Sequence, residues 1–211
     1  LGEGTSLEVR EMQYNLAVAE ARAVPSAENL AAFEEIVDDR AAEFGDDDPQ
    51  AITGRALLAE LYASKAQRPD LAIPLYLDVL ERRTRLFGPT SPTTLSARRL
   101  LSWALVATGR PGEAVAVLAE GVELAAEAGL SSEIIGLQFR NDLIWARLEL
   151  VALLVSFEDR GEDEDDEIAR QYGSAVAEYQ GLEIDSRRLE PDHSLRRSIL
   201  ALVTDYGLDA A

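Results

Sequence analysis

Phe87-Gly88-Pro89-Thr90-Ser91-Pro92-Thr93-Thr94-Leu95 closes one helical stretch and opens another, and Phe44-Gly45 stands 43 residues before Phe87-Gly88. Glycine after the aromatic residue supplies a terminal turn. Proline cannot continue the old helix, but it suits the first position of a new one, where its missing N–H costs nothing. The helical segments on either side repeat in step: Leu16-Ala17, Leu58-Ala59, Leu101-Ser102 and Leu143-Ile144 recur every 42 or 43 residues. A fixed period of this size marks a stack of small units, none able to bury its apolar face alone.

Each unit reads as two helices, with apolar positions such as Leu57, Leu58, Leu61 and Tyr62 at helical spacing. The expected helices run over 8–23, 27–44, 49–66, 70–86, 92–108, 113–128, 132–157 and 168–189, with a lone closing helix over 194–206. This organises the chain as one solenoid domain, 1–211, with units 1–43, 44–86, 87–128 and 129–190. Ser26 is the expected cap of the second helix. Ala17, Ala59 and Ser102 are small where helices should cross, so that Leu58, Leu61 and Tyr62 pack on Ala72, Tyr76 and Val79. The acidic insertion 158–167 lacks the alternating ligands and central glycine of a calcium loop. A dense like-charge run repels itself, so it reads as a mobile solvated loop, with a lure for a basic segment as the other reading.

Hydrophobic residues make up 47% of the chain, dominated by alanine and leucine, which favours helix over strand. The net charge of −19 repels phosphate backbones and anionic membranes, so neither nucleic acid nor membrane is an expected partner. The same field would help recruit a basic peptide or protein face; alternatively it only keeps the chain soluble. There is no cysteine, which excludes disulfides and thiolate chemistry and is compatible with a cytoplasmic setting. No apolar run approaches the roughly 20 residues of a membrane span. The chain opens at Leu1 inside a repeat, as a piece of a longer protein would. No phosphate loop, zinc motif or serine elbow is present. The single histidine, His193, lies in a turn rather than in a catalytic set. The expectation is a non-enzymatic protein with no cofactor and no metal.

On these residues the chain resembles tetratricopeptide repeats, in the long form of about 42 residues seen in kinesin light chains and bacterial regulators. The family's inter-unit segment, leucine-glycine-proline-aspartate-histidine-proline followed by threonine-leucine, is similar to 87–95 and to Leu189-Glu190-Pro191-Asp192-His193-Ser194-Leu195. Its leucine-small pair also matches Leu200-Ala201, and its second-helix pattern matches Ala72-Tyr76-Val79, Ala114-Leu118-Gly121 and Ala175-Tyr179-Leu182. Asn29 and Ile144 depart from it, each standing where a small residue is expected.

The resemblance implies an all-α, right-handed α-solenoid whose first helices line a concave groove for a peptide or helix of another protein. Steps of three and four from the leucine-small pair give one row per unit. The groove candidates are Tyr14, Glu60, Ser96, Arg99, Trp103, Gln138, Asn141 and Trp145, with Ala21 and Leu148 further along the same rows. Trp103 and Trp145 stand 42 residues apart, at matched positions, and tryptophan, tyrosine and arginine recur as binding hot spots. Asn141 resembles the asparagines that clamp peptide backbone in kinesin light chains. Two other readings stay open: the tryptophans fill the interior of a tightly curved stack, or the chain is the sensor or regulatory domain of a larger bacterial signalling protein, a nucleotide-hydrolysing switch or transcriptional regulator. Self-association through the stack ends, giving a homo-oligomer, is a third possibility of function.

Overall fold

The computed structural model describes residues 7–157 and 161–206, and all regular structure among them is α-helical. The chain divides into two compact units, Leu1–Gly88 and Pro89–Ala211. The first holds α1 (Leu7–Ala23), α2 (Ala27–Phe44), α3 (Pro49–Ser64) and α4 (Pro69–Phe87). The second holds α5 (Pro92–Ala107), α6 (Pro111–Glu127), α7 (Ile134–Val155), α8 (Glu162–Ser186) and α9 (Ser194–Tyr206). Within each unit every helix packs on the next.

The repeated turn chemistry makes these boundaries. Gly45 (φ 92°) and Gly88 (φ 83°) end α2 and α4 in a conformation that residues with a Cβ avoid. Ser26 caps α2, accepting from Asn29 N–H at 3.1 Å. Ser91 caps α5 at Thr94 N–H, 3.2 Å, with Pro92 in the first helical position.

In the first unit Ala17, Ala21, Leu30, Phe33, Val37, Leu58 and Leu61 form the core. Gly54 lets α3 close on α2, since a Cβ there would stand 2.6 Å from a Val37 methyl. Leu16 is 59% exposed although its counterpart Leu58 is 1% exposed. The corresponding face of α3 is covered by α2, whereas no described helix precedes α1.

Asp48 binds this unit together twice. Its Oδ1 accepts from Gln50 and Ala51 N–H at 3.0 Å, capping α3, and from Arg40 Nε on α2 at 2.7 Å. Burial pushes the carboxyl up, but the hydrogen bonds from Arg40 and the two N–H groups outweigh it and hold it below the usual carboxylate range. A depressed folded value contributes stability at neutral pH that is lost as pH falls through that value. Asp48→Ala should therefore destabilise the first unit by about 2 kcal/mol at pH 7. Urea melts should show the deficit shrinking in acid; a constant deficit would mean that the carboxylate charge is irrelevant.

The core of the second unit joins Leu137, Ile144 and Leu148 of α7, Ala175, Tyr179 and Leu182 of α8, and Leu195, Ile199 and Leu202 of α9. The closing helix thus covers an apolar face. Its buried row is displaced from the expected pair, and Leu200 is 43% exposed. Leu148 and Ala21, expected on the groove rows, are buried in the two cores. Arg98 pins α5 to α6 through a bidentate pair with Glu120, at 2.6 and 2.8 Å.

The acidic run departs from expectation. Helix α8 begins at Glu162, not near Ile168, so 162–167 is helix rather than loop; residues 158–160 lie outside the described residues. Glu162, Asp163, Glu164 and Asp165 occupy its first turn, where the helix dipole and free N–H groups favour negative charge. Glu164 Oε2 accepts from Gly161 N–H at 3.0 Å. Helix α7 stops at Val155, short of the expected Phe157.

Candidate functional site

Helices α5, α7 and α9 of the second unit bring most of the candidate side chains together. Trp103, Asn141, Asp142, Trp145, Ser198, Ala201, Leu202 and Asp205 line an open hollow of about 350 Å³. Trp103 is 42% exposed. Trp145 is half-buried, one side packed against the core shared with α9. The two indoles therefore share one hollow, and the more buried of them also packs on the interior.

Polar groups fix this wall. Arg99 donates from Nε to Asp142 Oδ2 and from a terminal nitrogen to Gln138 Oε1, each at 2.7 Å. Its guanidinium carbon lies 5.2 Å from the centre of the Trp103 ring. The Arg99 and Asp142 side chains are only 14% and 7% exposed. Burial pushes the Asp142 carboxyl up, against the charge and hydrogen bond of Arg99 and the weaker hydrogen bonds of Asn141 and Trp103, and the net direction is upward. Trp145 Nε1 donates to Glu149 Oε1 at 3.1 Å, and the Tyr206 hydroxyl donates to the same oxygen at 2.7 Å. Desolvation and the Glu149 carboxylate push the Tyr206 hydroxyl up to about 12. Asn141 Oδ1 is buried and has no donor among the described residues.

The remaining candidates lie elsewhere. Ser96 is exposed on α5, its hydroxyl donating to Pro92 O at 2.8 Å. Tyr14 and Glu60 belong to the first unit. Tyr14 is half-buried and meets Phe33 edge-on, with ring centres 5.7 Å apart, while Glu60 is exposed on α3. Tyr14 also borders a hollow of about 460 Å³ with Arg10, Arg40 and Phe44. His193 accepts from Leu195 N–H through Nδ1 at 3.2 Å, the work of a turn residue at a helix start. Among the described residues no cluster of three or more histidine, cysteine or carboxylate side chains could hold a metal, and no helix is long and apolar enough to cross a membrane.

Asp142, Glu149 and the α9 side chains Ser198 and Asp205 are not among the sequence candidates. Asp142 had a legible signal: it is an acid 43 residues beyond Arg99, one period along the chain.

Residues 53–127 match the tetratricopeptide-repeat family. The fold is similar to that of a kinesin-light-chain protein of nearly identical tetratricopeptide-like repeats from Podosopora anserina, with a TM-score of 0.69 and 21% identity over 95% of this chain and 86% of that one. A glutamine-to-methionine variant of that protein gives a TM-score of 0.72 and 20% identity over 99% and 90% of the two chains. No curated protein sequence matches. The resemblance read from the repeats is borne out, and the chain has the all-α fold of tetratricopeptide-repeat solenoids. Repeats of this fold are general scaffolds for protein–protein interaction and are typically non-catalytic.

Proposed function

We propose that this chain is a protein-interaction module and that the hollow of α5, α7 and α9 receives a peptide or helix of another protein. What supports this reading is the pair of indoles in one open hollow, held by side chains that are themselves fixed. A partly exposed tryptophan costs a soluble protein apolar contact with water, and hot spots are aromatic side chains set among fixed polar neighbours. The indoles bury apolar side chains of the partner, while the polar wall sets its register.

Peptides selected from a random displayed library on the intact chain supply the test. Trp103→Ala should weaken the selected peptides by about 2 kcal/mol, close to 30-fold, with the helical circular dichroism unchanged. Unchanged affinity in a folded variant would place the binding surface elsewhere.

A further inference from the structure

We infer that the hollow between Trp103 and Trp145 takes a cationic side chain, arginine or lysine, from its partner; this rests on reading that hollow as the docking place. The donors of the wall are turned inward. Trp145 Nε1 and the Tyr206 hydroxyl both donate to Glu149 Oε1. Arg99 is committed to Asp142 and Gln138, and the Trp103 indole and the Asn141 amide nitrogen also serve the Asp142 carboxylate. The acceptors are left over. Asp205 is exposed at the rim, and among the described residues no donor reaches its carboxylate. Glu149, bonded to the indole N–H of Trp145, borders the neighbouring hollow with Val106 and Leu153, and no described donor reaches its Oε2.

A surface offering acceptors and indole faces fits an occupant rich in N–H donors and positive charge. An acidic side chain would meet the Asp142 and Asp205 carboxylates of the lining, with the Ser198 hydroxyl as a donor. A purely apolar one would cover the indoles but strip water from Asp205 without replacing it, whereas the apolar stem of arginine or lysine covers the indoles and its charged end pairs with the carboxylate. The wall already holds one guanidinium in this way, Arg99 over Trp103, with Asp142 as counter-ion. Repulsion from Arg99 directs a second cation to the Trp145 and Asp205 side of the hollow, with the Glu149 carboxylate at the indole N–H of Trp145 adding to the negative field there. The net charge of −19 attracts a basic partner at longer range, but it does not choose this spot.

The two tryptophans of the chain give two indole N–H signals in a nitrogen–proton correlation spectrum. The probes are three blocked alanine heptapeptides carrying arginine, leucine or glutamate at the centre. The arginine peptide should shift the Trp145 signal saturably, binding about tenfold more tightly than the other two. The double variant Glu149→Gln, Asp205→Asn should lose that preference. Both substitutions keep size and an acceptor oxygen, so Trp145 and Tyr206 retain their bonds, and an unchanged thermal melt confirms the fold. A preference for arginine that survives the double variant overturns the inference, because the general charge of the protein then explains it. An equal or stronger response to the leucine or glutamate peptide overturns it too, while leaving the docking place standing. Silence from all three up to about 20 mM removes the docking place as well.

Discussion

Arg99→Ala is expected to destabilise the second unit by about 3 kcal/mol at pH 7, because it strands a charge rather than merely removing a contact. Asp142 is 7% exposed at its side chain, and Arg99 supplies both its counter-ion and its shortest hydrogen bond, 2.7 Å. The pH dependence separates this cause from lost packing. Burial already holds the Asp142 carboxyl above its ordinary value despite Arg99. A carboxyl raised in the folded state binds its proton more tightly there, so its contribution is greatest in acid and declines as pH rises through the raised value. Without Arg99 the main opposing influence is gone and the carboxyl rises further. The variant's deficit against the parent should therefore be small in mild acid and grow toward neutral pH. The double variant Arg99→Ala, Asp142→Asn, which strands nothing, should recover much of the loss. Urea melts across pH measure both; a deficit flat with pH would mean that Arg99 acts by packing on Trp103 alone.

What was legible in the chain follows the range of the interactions concerned. Phe44-Gly45, Phe87-Gly88, Ser26 and Ser91 mark helix ends through contacts within four residues, and the observed boundaries fall there. The pairing of helices was legible because the period repeats the same small and large residues, down to Ala72, Tyr76 and Val79, all buried on α4. Like-charge repulsion alone predicts a loop for the acidic run, but at the N-terminus of α8 the helix dipole and free N–H groups offset that repulsion. In α9 the Leu200-Ala201 pair matches the family by identity but lies outward; a short helix with several apolar residues offers two faces, and contact with α7 and α8 selects Leu195, Ile199 and Leu202. Spacing placed Trp103, Arg99, Gln138, Asn141 and Trp145 near one another. The acid one period beyond Arg99, Asp142, is a signal of the same kind, whereas the convergence of Tyr206 and Trp145 on Glu149 is not legible, because the Tyr206 bond joins side chains 57 residues apart, off the repeat period.

Gly121→Ala should cost about 3 kcal/mol, the upper part of the range for overpacking, and should disturb the hollow from behind. A Cβ at Gly121 of α6 would stand 2.2, 2.5 and 2.9 Å from three ring atoms of Phe139 on α7. The ring is rigid and wholly buried, so neither a rotamer change nor a move into solvent relieves the clash. The remaining response is for α7 to withdraw, and α7 carries Asn141, Asp142 and Trp145 within two turns of Phe139. Phe139→Leu should partly rescue Gly121→Ala, the two changes costing about 1–2 kcal/mol less together than their sum. Gly173 is the control: it is exposed within α8 with nothing within 4 Å of an added Cβ, so Gly173→Ala should stabilise by about 0.5–1 kcal/mol. Denaturation melts of the single and double variants test the energies, and the Trp145 indole signal should move in Gly121→Ala but not in Gly173→Ala. Strict additivity of the Gly121 and Phe139 changes would show that the two helices can separate at that point without strain, and the positioning of the hollow by α6 would then be lost as an explanation.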